Sequence, residues 1–576
     1  MGKFSIISRH IVLTGNQQFH PKLPVYGIIL IDEEVIEDVI LIQEDVPSKT
    51  VAEKYADWNP LDYSDYYVSP GIIDLNVTRT WESYSDLTKA AVSGGTCFLL
   101  QDSLKTQNSD QLFCDVANVP IISDENACDI DELLKGAFAV KGYNFPPSGD
   151  YKPLINQIEF VMQKLLSRDI PLLFDPTAPN QRMILQASPF RTETLDSRIN
   201  KKPSRNSQTN TFAGAFPDPI DSGVDDSPKE NYGTVSSPFG CCIQAPKVKD
   251  PSSALLVSNT LRPPQRRKTY TIFDDLNRRI RENQDNIQNL SRAEVHTYNA
   301  SGTTSFDAKK SNFSQRLKRP PPLSIKKAET NKEKLYIYYL ANFPYTWEVS
   351  GVDKILQSMH PESKIHIVNL SSAAALNRVR QAKQNFKNLT SEVGSSHLYF
   401  TSDSVKEGDT RFKSHPPIRN TANCNLLWEL LKFKGIDSIS SQHHYVPSEY
   451  KTDNFQTALK GISSIEFTMQ VPWTILNIPV KTSANFEHYL IRLSKWLSLQ
   501  PANTLGLKNR GSIEKGKLAD LVVWDPYEKV SDAMSFYGNS NPFVSQQLLG
   551  SIHKVFVRGK LAFEEGVFKP FGRVFK

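Results

Sequence analysis

The sequence predicts an α/β fold: a (β/α)8 TIM barrel with a small β-sandwich module formed by both termini. Apolar strands alternate with amphipathic helices through most of the chain, as in "AAVSGGTCFLLQDS" and "KIHIVNLSSAAALNRVRQAK", a pattern typical of parallel sheets. The number of these units fits a (β/α)8 barrel. Short β-rich runs at the two ends, such as "YGIILIDEEVIEDVILI" and "SIHKVFVRGKLAFEEGVF", are each too small to fold alone, so we expect them to meet in one module.

Changes of composition divide the chain into five segments. Residues 1–68 and 506–576 are the predicted N-terminal and C-terminal parts of the β-sandwich module, and residues 69–184 and 336–505 are the two parts of the barrel. Residues 185–335 interrupt the repeats with stretches rich in Ser, Asn, Pro, Lys and Arg, such as "NKKPSRNSQTN". Such a composition buries too little apolar surface to fold, which predicts a basic, low-complexity insertion that is largely disordered.

Composition excludes several classes of protein. The chain has 576 residues, 39% of them hydrophobic, and a formal net charge of only +5. It can therefore bury a large core, and its charge gives no general case for nucleic-acid binding. The six cysteines form no CxxC pair, which favours a reduced, cytoplasmic protein over a disulfide-linked one. No run approaches the ~18 apolar residues of a membrane span, so we expect no membrane partner.

The insertion contains one candidate partner site. Its two basic clusters either bind an acidic protein partner or only keep a solvated linker soluble. Between residues 272 and 294 apolar side chains recur at helical spacing, which predicts an amphipathic helix and favours the partner interpretation. The candidate partner-binding residues are Arg262, Arg266, Arg267, Lys268, Arg316, Lys318 and Arg319.

Motifs along nearly the whole chain outside the insertion resemble those of one family. "VSPGIIDLNV" looks like a first barrel strand, "GAFAVKGYN" like the segment with a carboxylated lysine, and "KIHIVNLSSAAAL" and "SISSQHHYVPSEYK" like later strand ends, in the same order. On these motifs the chain resembles the cyclic amidohydrolase superfamily, specifically its allantoinase branch, with dihydropyrimidinase and dihydroorotase as relatives. The resemblance implies a barrel with its reactive groups at the strand ends and a hydrolase of cyclic amides.

The resemblance also implies which residues an active member needs. Two divalent metals share a bridging hydroxide, and a His-x-His pair, a carboxylated lysine, two further histidines and an aspartate that is also the general base hold them. Amides and hydroxyls are poor substitutes for such ligands. Only the lysine is retained here. The corresponding positions are Asn76, Thr78, Lys141, Asp175, Asn369 and Gln442.

Neighbouring histidines offer a partial replacement for the lost ligands. On a regular strand, His366 and His443 would face away from the pocket, toward the helices. His415, Arg419 and His444 remain as candidate pocket residues. We expect no cofactor; the alternative is one zinc ion held by a remodelled site.

The residues at the old ligand positions have two interpretations. The four neutral ones either line a pocket that binds a ureide or pyrimidine, or are satisfied polar side chains that fill the space the metals left. Without metals to stabilise a carbamate, Lys141 is expected to be an unmodified lysine that pairs with Asp175.

Together these residues predict a catalytically inactive allantoinase-like protein, a pseudoenzyme retained for binding, oligomerisation or assembly. Because members of the family commonly form dimers and tetramers, the resemblance implies a homo-oligomer or a hetero-oligomer with an active relative. One alternative is an active hydrolase of cyclic ureides, which converts allantoin to allantoate with a remodelled site. Another is a structural component of a larger complex that acts through the basic insertion.

Overall fold

The computed structural model describes most of the chain outside the predicted insertion, and the described residues belong to one compact unit. They are residues 2–14, 24–102, 111–145, 152–177, 331–477, 485–531 and 535–575, together with Arg278. Residues 331–335 pack on this unit, since the backbone N–H of Phe455 donates to the carbonyl of Glu333 and that of Gly408 to the carbonyl of Lys334. The second part of the unit therefore begins by residue 331 rather than at 336.

The two ends of the chain share one nine-stranded sheet. Its strands are β1 (Phe4–Ile11), β2 (Val25–Asp32), β3 (Val35–Leu41), β4 (Pro60–Asp62), β5 (Tyr67–Pro70), β16 (Leu521–Lys529), β17 (Leu549–Val557), β18 (Lys560–Glu564) and β19 (Val567–Phe568). The order is β19-β18-β17-β16-β5-β1-β2-β3, with β4 paired to β1. Antiparallel pairing of β16 with β5 joins the C-terminal strands to the N-terminal ones, so both termini build this module.

Parallel strands form two further sheets. Their strands are β6 (Ile72–Thr78), β7 (Thr96–Gln101), β8 (Asp115–Asn118), β9 (Ile121–Ile122), β10 (Val140–Tyr143), β11 (Leu172–Asp175), β12 (Ile365–Ile367), β13 (Leu389–Gly394), β14 (Ser438–Ser440), β15 (His443–His444) and β20 (Val574–Phe575). One sheet has the order β15-β6-β7-β8-β20 and the other β14-β13-β12-β11-β10-β9. Only two residues separate β8 from β9, and β14 from β15. Within each sheet the parallel pairing of β6–β8 and of β9–β14 follows chain order, and β15 pairs with β6.

The last strand lies outside the module to which the sequence assigns it. Residues 506–576 are predicted to belong to the β-sandwich module, but β20 pairs in parallel with β8. Phe575 packs against Phe98, with ring centroids 5.8 Å apart, and against Phe138 at 6.3 Å. These aromatic contacts hold Phe575 against the parallel strands. The local sequence pattern does not predict them.

Helices follow most of the parallel strands. They are α1 (Ser48–Lys54), α2 (Tyr84–Ser93), α3 (Ile130–Leu133), α4 (Ile158–Leu166), α5 (Tyr336–Ala341), α6 (Tyr345–Ser358), α7 (Ala373–Ala382), α8 (Ser395–Tyr399), α9 (Thr421–Lys432), α10 (Gln470–Asn477), α11 (Asn485–Ser494) and α12 (Gln500–Leu505), with a π-helical turn at Lys495–Leu499. Ser83 caps α2 by accepting the backbone N–H of Asp86, and Gly95, with a φ of +88°, turns the chain into β7. Within the described ranges, no helix is long and apolar enough to cross a membrane.

Strand residues alternate between two buried layers. On β6, Ile72 packs in a large cluster that contains Leu87 of α2, whereas Ile73 and Leu75 join a smaller cluster with Leu173 of β11. One side of each strand thus meets the helices and the other meets neighbouring strands. Because the strands are parallel, their carboxyl ends meet at one edge, and the polar residues at those ends form the candidate site.

Candidate functional site at the strand ends

Five of the six predicted ligand positions lie in the carboxyl-terminal half of a parallel strand or directly after it, and Lys141 is the second residue of the four-residue strand β10. The six positions are Asn76 and Thr78 on β6, Lys141 on β10, Asp175 at the end of β11, Asn369 after β12, and Gln442 after β14. Hydrogen bonds join five of them, directly or through Asp102. Gln442 is the exception.

Asn76 is the centre of this hydrogen-bond network. Its amide group donates to Asn369 Oδ1 and to Glu392 Oε1, both at 2.8 Å. Its Oδ1 accepts from Lys141 Nζ at 3.0 Å. The side chain is only 4% exposed, and both of its polar atoms have partners, as buried amides require.

Lys141 is a buried ammonium group whose acidic partner sequence analysis missed. Its Nζ lies 3.5 Å from Asp102 Oδ2, and the same oxygen accepts from Tyr143 Oη at 3.0 Å and from Thr78 Oγ1 at 3.3 Å. The predicted ion pair with Asp175 is therefore wrong. Asp102 directly follows β7, so the only signal for it in the sequence is a single acid after an apolar run.

Asp175 is held by neutral donors. Asn369 Nδ2 donates to Oδ2 at 2.9 Å, and the backbone N–H of Thr177 donates to Oδ1 at 3.0 Å. Burial raises the pKa of the Asp175 carboxyl, while these hydrogen bonds and the charge of Lys141 oppose the rise. Lys141 thus acts on Asp175 through space rather than through a hydrogen bond.

His366 faces the network, contrary to the prediction from strand alternation. Its Nε2 lies 3.4 Å from Glu392 Oε2 and its Nδ1 lies 2.8 Å from Thr390 Oγ1. The strand ends before Asn369, whose φ is +55°. A left-handed residue reverses the chain direction, so the alternation of a regular strand does not hold across it. Glu392 links His366 to Asn76 and is a second acid that the sequence did not single out.

Gln442, at the general-base position that the resemblance implies, has no hydrogen-bond partner within the described part of the chain. Both polar atoms of its side chain are shielded from solvent. Its Oε1 lies so close to Gly394 that a Cβ there would be 2.5 Å away, and His397 Nδ1 would be 2.8 Å from the same point. That nitrogen also lacks a partner among the described residues. Buried polar atoms without partners are costly, which sets this part of the site apart from the Asn76 network.

His443 faces away from the network. Its Nε2 lies 3.5 Å from Glu82 Oε1, and its Nδ1 accepts the backbone N–H of Ser464 at 3.1 Å. The adjacent Gln442 has a φ of +50°. His443 therefore belongs to the packing between strands and loops.

The three candidate pocket residues have different environments. Burial lowers the pKa of His415 to about 3 and that of His444 to about 4, and the two rings also interact electrostatically. Both imidazoles are therefore neutral at pH 7. Arg419 supports the fold instead, because its guanidinium donates to the Glu348 carboxylate and, at 3.0 Å, to Ser371 Oγ.

The predicted partner-binding residues lie outside the described residues. They are Arg262, Arg266, Arg267, Lys268, Arg316, Lys318 and Arg319. The predicted helix over residues 272–294 also lies there, apart from Arg278, which is helical.

The residues of the network do not fit the two-metal centre that the resemblance implies. Asn76 presents amide N–H groups and Lys141 an ammonium group, so both donate hydrogen bonds where a metal needs lone pairs. The carboxylates of Asp102, Asp175 and Glu392 accept from such donors. Throughout the ranges that the structure describes, no three His, Cys, Asp or Glu side chains are arranged to hold a metal ion.

Comparison with known proteins agrees with the predicted fold and resemblance. A sequence model of the amidohydrolase family matches residues 448–562. The chain is 32% identical to an allantoinase of Arabidopsis thaliana over 262 residues, 42% of this chain and 50% of that protein. It is 34% identical to a probable allantoinase of Oryza sativa subsp. japonica over 249 residues, 40% of this chain and 48% of that protein. The fold matches L-hydantoinase (dihydropyrimidinase) from Arthrobacter aurescens with a TM-score of 0.63 at 15% identity, over 99% of each chain. The chain is thus similar in sequence to allantoinases over about two fifths of its length and similar in fold to L-hydantoinase over nearly all of it.

The sequence likeness to the curated relatives is uneven along the chain. The chain spans about half the length of the curated relatives it matches. The family match at residues 448–562 covers α10–α12, β16, β17 and part of β18 but none of the residues of the Asn76 network. Sequence likeness thus covers only parts of the chain, and the chemistry has to be argued from the geometry at the strand ends.

Proposed function

We propose that this chain is a catalytically inactive allantoinase-like protein, a pseudoenzyme that keeps the amidohydrolase fold for binding or assembly. The observation that carries the proposal is the network centred on Asn76. Asn76, Lys141 and Asn369 stand where the resemblance implies metal ligands, and they hydrogen-bond to one another or to buried carboxylates. A network that satisfies its own donors and acceptors leaves few lone pairs for a divalent ion.

We infer that the two parallel sheets are the two parts of one (β/α)8 barrel. The return of the pairing from β15 to β6 supports this, as do the short gaps within β8–β9 and β14–β15. The fold shared with L-hydantoinase supports it as well. In such barrels the active site lies at the carboxyl ends of the strands. The replaced ligands would then lie where the chemistry of a cyclic amidohydrolase takes place.

The remaining groups supply little for opening a cyclic amide. In a metal hydrolase the ions deliver hydroxide near neutral pH. A glutamine such as Gln442 cannot accept a proton there, and a lysine that already donates, such as Lys141, is no base. Burial keeps the pKa of His415 and His444 far below neutral pH, which makes both imidazoles weak bases at pH 7.

Two measurements on purified full-length protein test this function. Metal analysis after growth with added zinc should find no stoichiometric zinc. Assays of ring opening with allantoin, dihydrouracil and hydantoin, with and without added zinc, should find no turnover. The allantoinase of Arabidopsis thaliana serves as the positive control for the allantoin assay.

A specific result would overturn the proposal. Stoichiometric zinc together with turnover that is abolished by Lys141→Ala or Asp175→Ala would establish an active hydrolase with a remodelled site. Turnover that persists in both variants would point to contaminating activity in the preparation rather than to these residues.

A further inference from the structure

Two aromatic side chains lie exposed at the rim of the candidate site, on the loops that follow β6 and β15. Trp81 is 48% exposed and Tyr450 is 40% exposed, and their rings stack with centroids 4.7 Å apart. Leu459, also 40% exposed, donates its backbone N–H to the Tyr450 carbonyl at 3.0 Å. Thr80 Oγ1 donates to the Tyr445 carbonyl at 3.0 Å and so ties the two loops together. We call Trp81, Tyr450 and Leu459 the rim patch.

The polar groups at the rim patch have no partners within the described part of the chain. Neither Trp81 Nε1 nor Tyr450 Oη forms a hydrogen bond there, and the exposed carboxylate of Glu449 forms neither a hydrogen bond nor an ion pair. The neighbouring Lys451 ammonium donates to the Gly461 carbonyl at 2.6 Å instead. Exposed apolar side chains that cluster, unlike single ones, indicate an interaction site.

Such a surface suits a proline-rich segment in the polyproline II conformation. This conformation forms no internal hydrogen bonds, so its carbonyls can accept from donors such as Trp81 Nε1 and Tyr450 Oη. Proline rings pack on exposed aromatic faces, which is how aromatic-lined grooves recognise proline-rich segments. An acid beside the aromatic rings, such as Glu449, adds a preference for a basic residue next to the prolines.

The chain re-enters the described structure beside the rim patch, at Asn331. The Glu333 carbonyl accepts the backbone N–H of Phe455 at 2.7 Å, and the Glu333 carboxylate accepts from Asn454 Nδ2 at 2.5 Å. Both partners lie in the segment 450–459, which carries two of the three residues of the rim patch. The point of re-entry is therefore fixed next to the rim patch.

A basic proline run precedes this point in the sequence. It reads "RLKRPPPL", residues 316–323, and lies outside the described residues. Successive prolines, each with φ fixed at about −65°, favour polyproline II. Seven residues separate Leu323 from Asn331, so the run can reach up to about 28 Å from the point of re-entry. A tether this short supplies an effective concentration in the millimolar range.

We propose that the rim patch binds this proline run of the same chain, with the prolines packed on Trp81 and Tyr450 and with Arg319 paired to Glu449. Tethering favours the chain's own run over a proline-rich segment of another protein, which would need the same high local concentration. The contact anchors the C-terminal end of the insertion at the carboxyl ends of the parallel strands. It goes beyond the proposed function and does not depend on whether the chain is catalytically inactive.

Limited trypsin digestion of the full-length protein tests this contact through cleavage after Arg316, followed by mass spectrometry. At a millimolar effective concentration, a site with a dissociation constant of about 0.1 mM is about nine-tenths occupied, which slows this cleavage about tenfold. Trp81→Ala should therefore raise its rate about tenfold. Cleavage after Arg267, in the other basic cluster, should keep its rate. The matched control Tyr527→Ala removes another exposed tyrosine, which stacks on Phe486 at 5.5 Å, and should change neither rate.

Substitutions in the proline run test the other side of the contact. Pro321→Ala combined with Pro322→Ala should raise the rate of cleavage at the same bond by about tenfold. Pro320 is retained because it keeps trypsin from cleaving after Arg319. Adding Trp81→Ala to this pair should give no further increase, since the effects of side chains that share one contact are not additive.

Three results would overturn the contact: equal rates after Arg316 in the wild type and in Trp81→Ala, additive effects of the two sides, or protection that grows with protein concentration. The last result would assign the rim patch to a second copy of the chain. Should Trp81→Ala fail to fold by circular dichroism, Tyr450→Ala replaces it with the same expected increase. Turnover of a cyclic ureide, by contrast, would overturn the inactive function and leave this contact standing.

Discussion

At the amino ends of the parallel strands, the Arg510 guanidinium pairs with Asp115 and Asp520. The Arg558 guanidinium pairs with Asp115, and the backbone N–H of Arg558 donates to Asp520. We call these four residues the amino-end cluster. At the opposite, carboxyl ends lies the network of Asn76. Both regions are buried and polar, but all four residues of the amino-end cluster pair their charges at 7% exposure or less.

The difference lies in whether buried groups are paired with opposite charges. In the amino-end cluster the Arg510 guanidinium meets both carboxylates and the Arg558 guanidinium meets that of Asp115. At the carboxyl ends the Asn76 network is satisfied, whereas the side chains of Gln442 and His415 have no partner among the described residues. Buried charges require close pairing, and buried polar atoms left open generally meet a ligand or water. One end thus pairs buried opposite charges, and the other combines a satisfied network with buried polar atoms that have no partner among the described residues.

Breaking the amino-end cluster should have the largest effect on stability. Asp115→Ala removes the carboxylate that both arginines share, so two buried guanidinium groups lose a partner. We expect the free energy of unfolding in urea to fall by about 3–5 kcal/mol. The control Glu132→Ala breaks an exposed pair with Lys135 and should cost less than about 1 kcal/mol. A loss for Asp115→Ala no larger than that of the control would contradict the role of the cluster.

The Lys141 ammonium group should matter for stability and not for metal binding. Lys141→Met leaves Asp102 buried without its cation and Asn76 without one donor, so we expect a loss of about 2–3 kcal/mol, measured as for Asp115→Ala. The zinc content should be the same before and after the substitution. A drop in bound zinc with unchanged stability would show that Lys141 is a metal ligand.

The pH dependence of stability should reveal Asp74 at the base of the site. Burial raises the pKa of Asp74 to about 6, although the hydrogen bond from Ser441 opposes the rise. The unfolded chain releases this proton near pH 4, so the folded form holds it more tightly, and stability falls as the pH rises from about 4 to about 6.

Comparison with Asp74→Asn isolates this effect. Between pH 4 and pH 6 the variant should gain about 2 kcal/mol on the wild type in the free energy of unfolding. Burial lowers the pKa of His397, His415 and His444, which makes stability rise with pH in both proteins, and the comparison cancels that term. A constant difference between the two proteins across this range would contradict the assignment.

The smallest effect is expected at the open side of the site. Gln442→Leu removes two buried polar atoms that have no partner among the described residues, so the free energy of unfolding should stay within about 1 kcal/mol of the wild type or rise. Thermal denaturation followed by circular dichroism measures this. A loss comparable to that of Lys141→Met would show that Gln442 is bonded within the fold.

Most of the fold follows from local pattern. "GIIDLNV" is apolar enough to predict β6, and Gly94–Gly95 marks the turn between α2 and β7, as the structure shows. The amino-end cluster is different, because Arg510 and Asp115 stand 395 residues apart. No local sequence pattern predicts a contact between residues so far apart.

The position of the candidate site could be predicted from the sequence, but the hydrogen-bond partners within it could not. The six strand-end positions were identified, yet Asp102 and Glu392 look like ordinary acids after apolar runs, so the partners of Lys141 and Asn76 were missed. The orientation of His366 was mispredicted because alternation assumes a regular strand, and the φ of +55° at Asn369 ends that regularity. Side-chain partners depend on chain direction after each strand, and that information is not local.

The most direct test of the central claim is an anomalous diffraction map of crystals grown with zinc, recorded on both sides of the zinc absorption edge. The account predicts no zinc peak among Asn76, Lys141 and Asp175, with Lys141 Nζ in contact with Asn76 Oδ1 and Asp102. A zinc peak at that point, with Lys141 or Asp175 among its ligands, would contradict it.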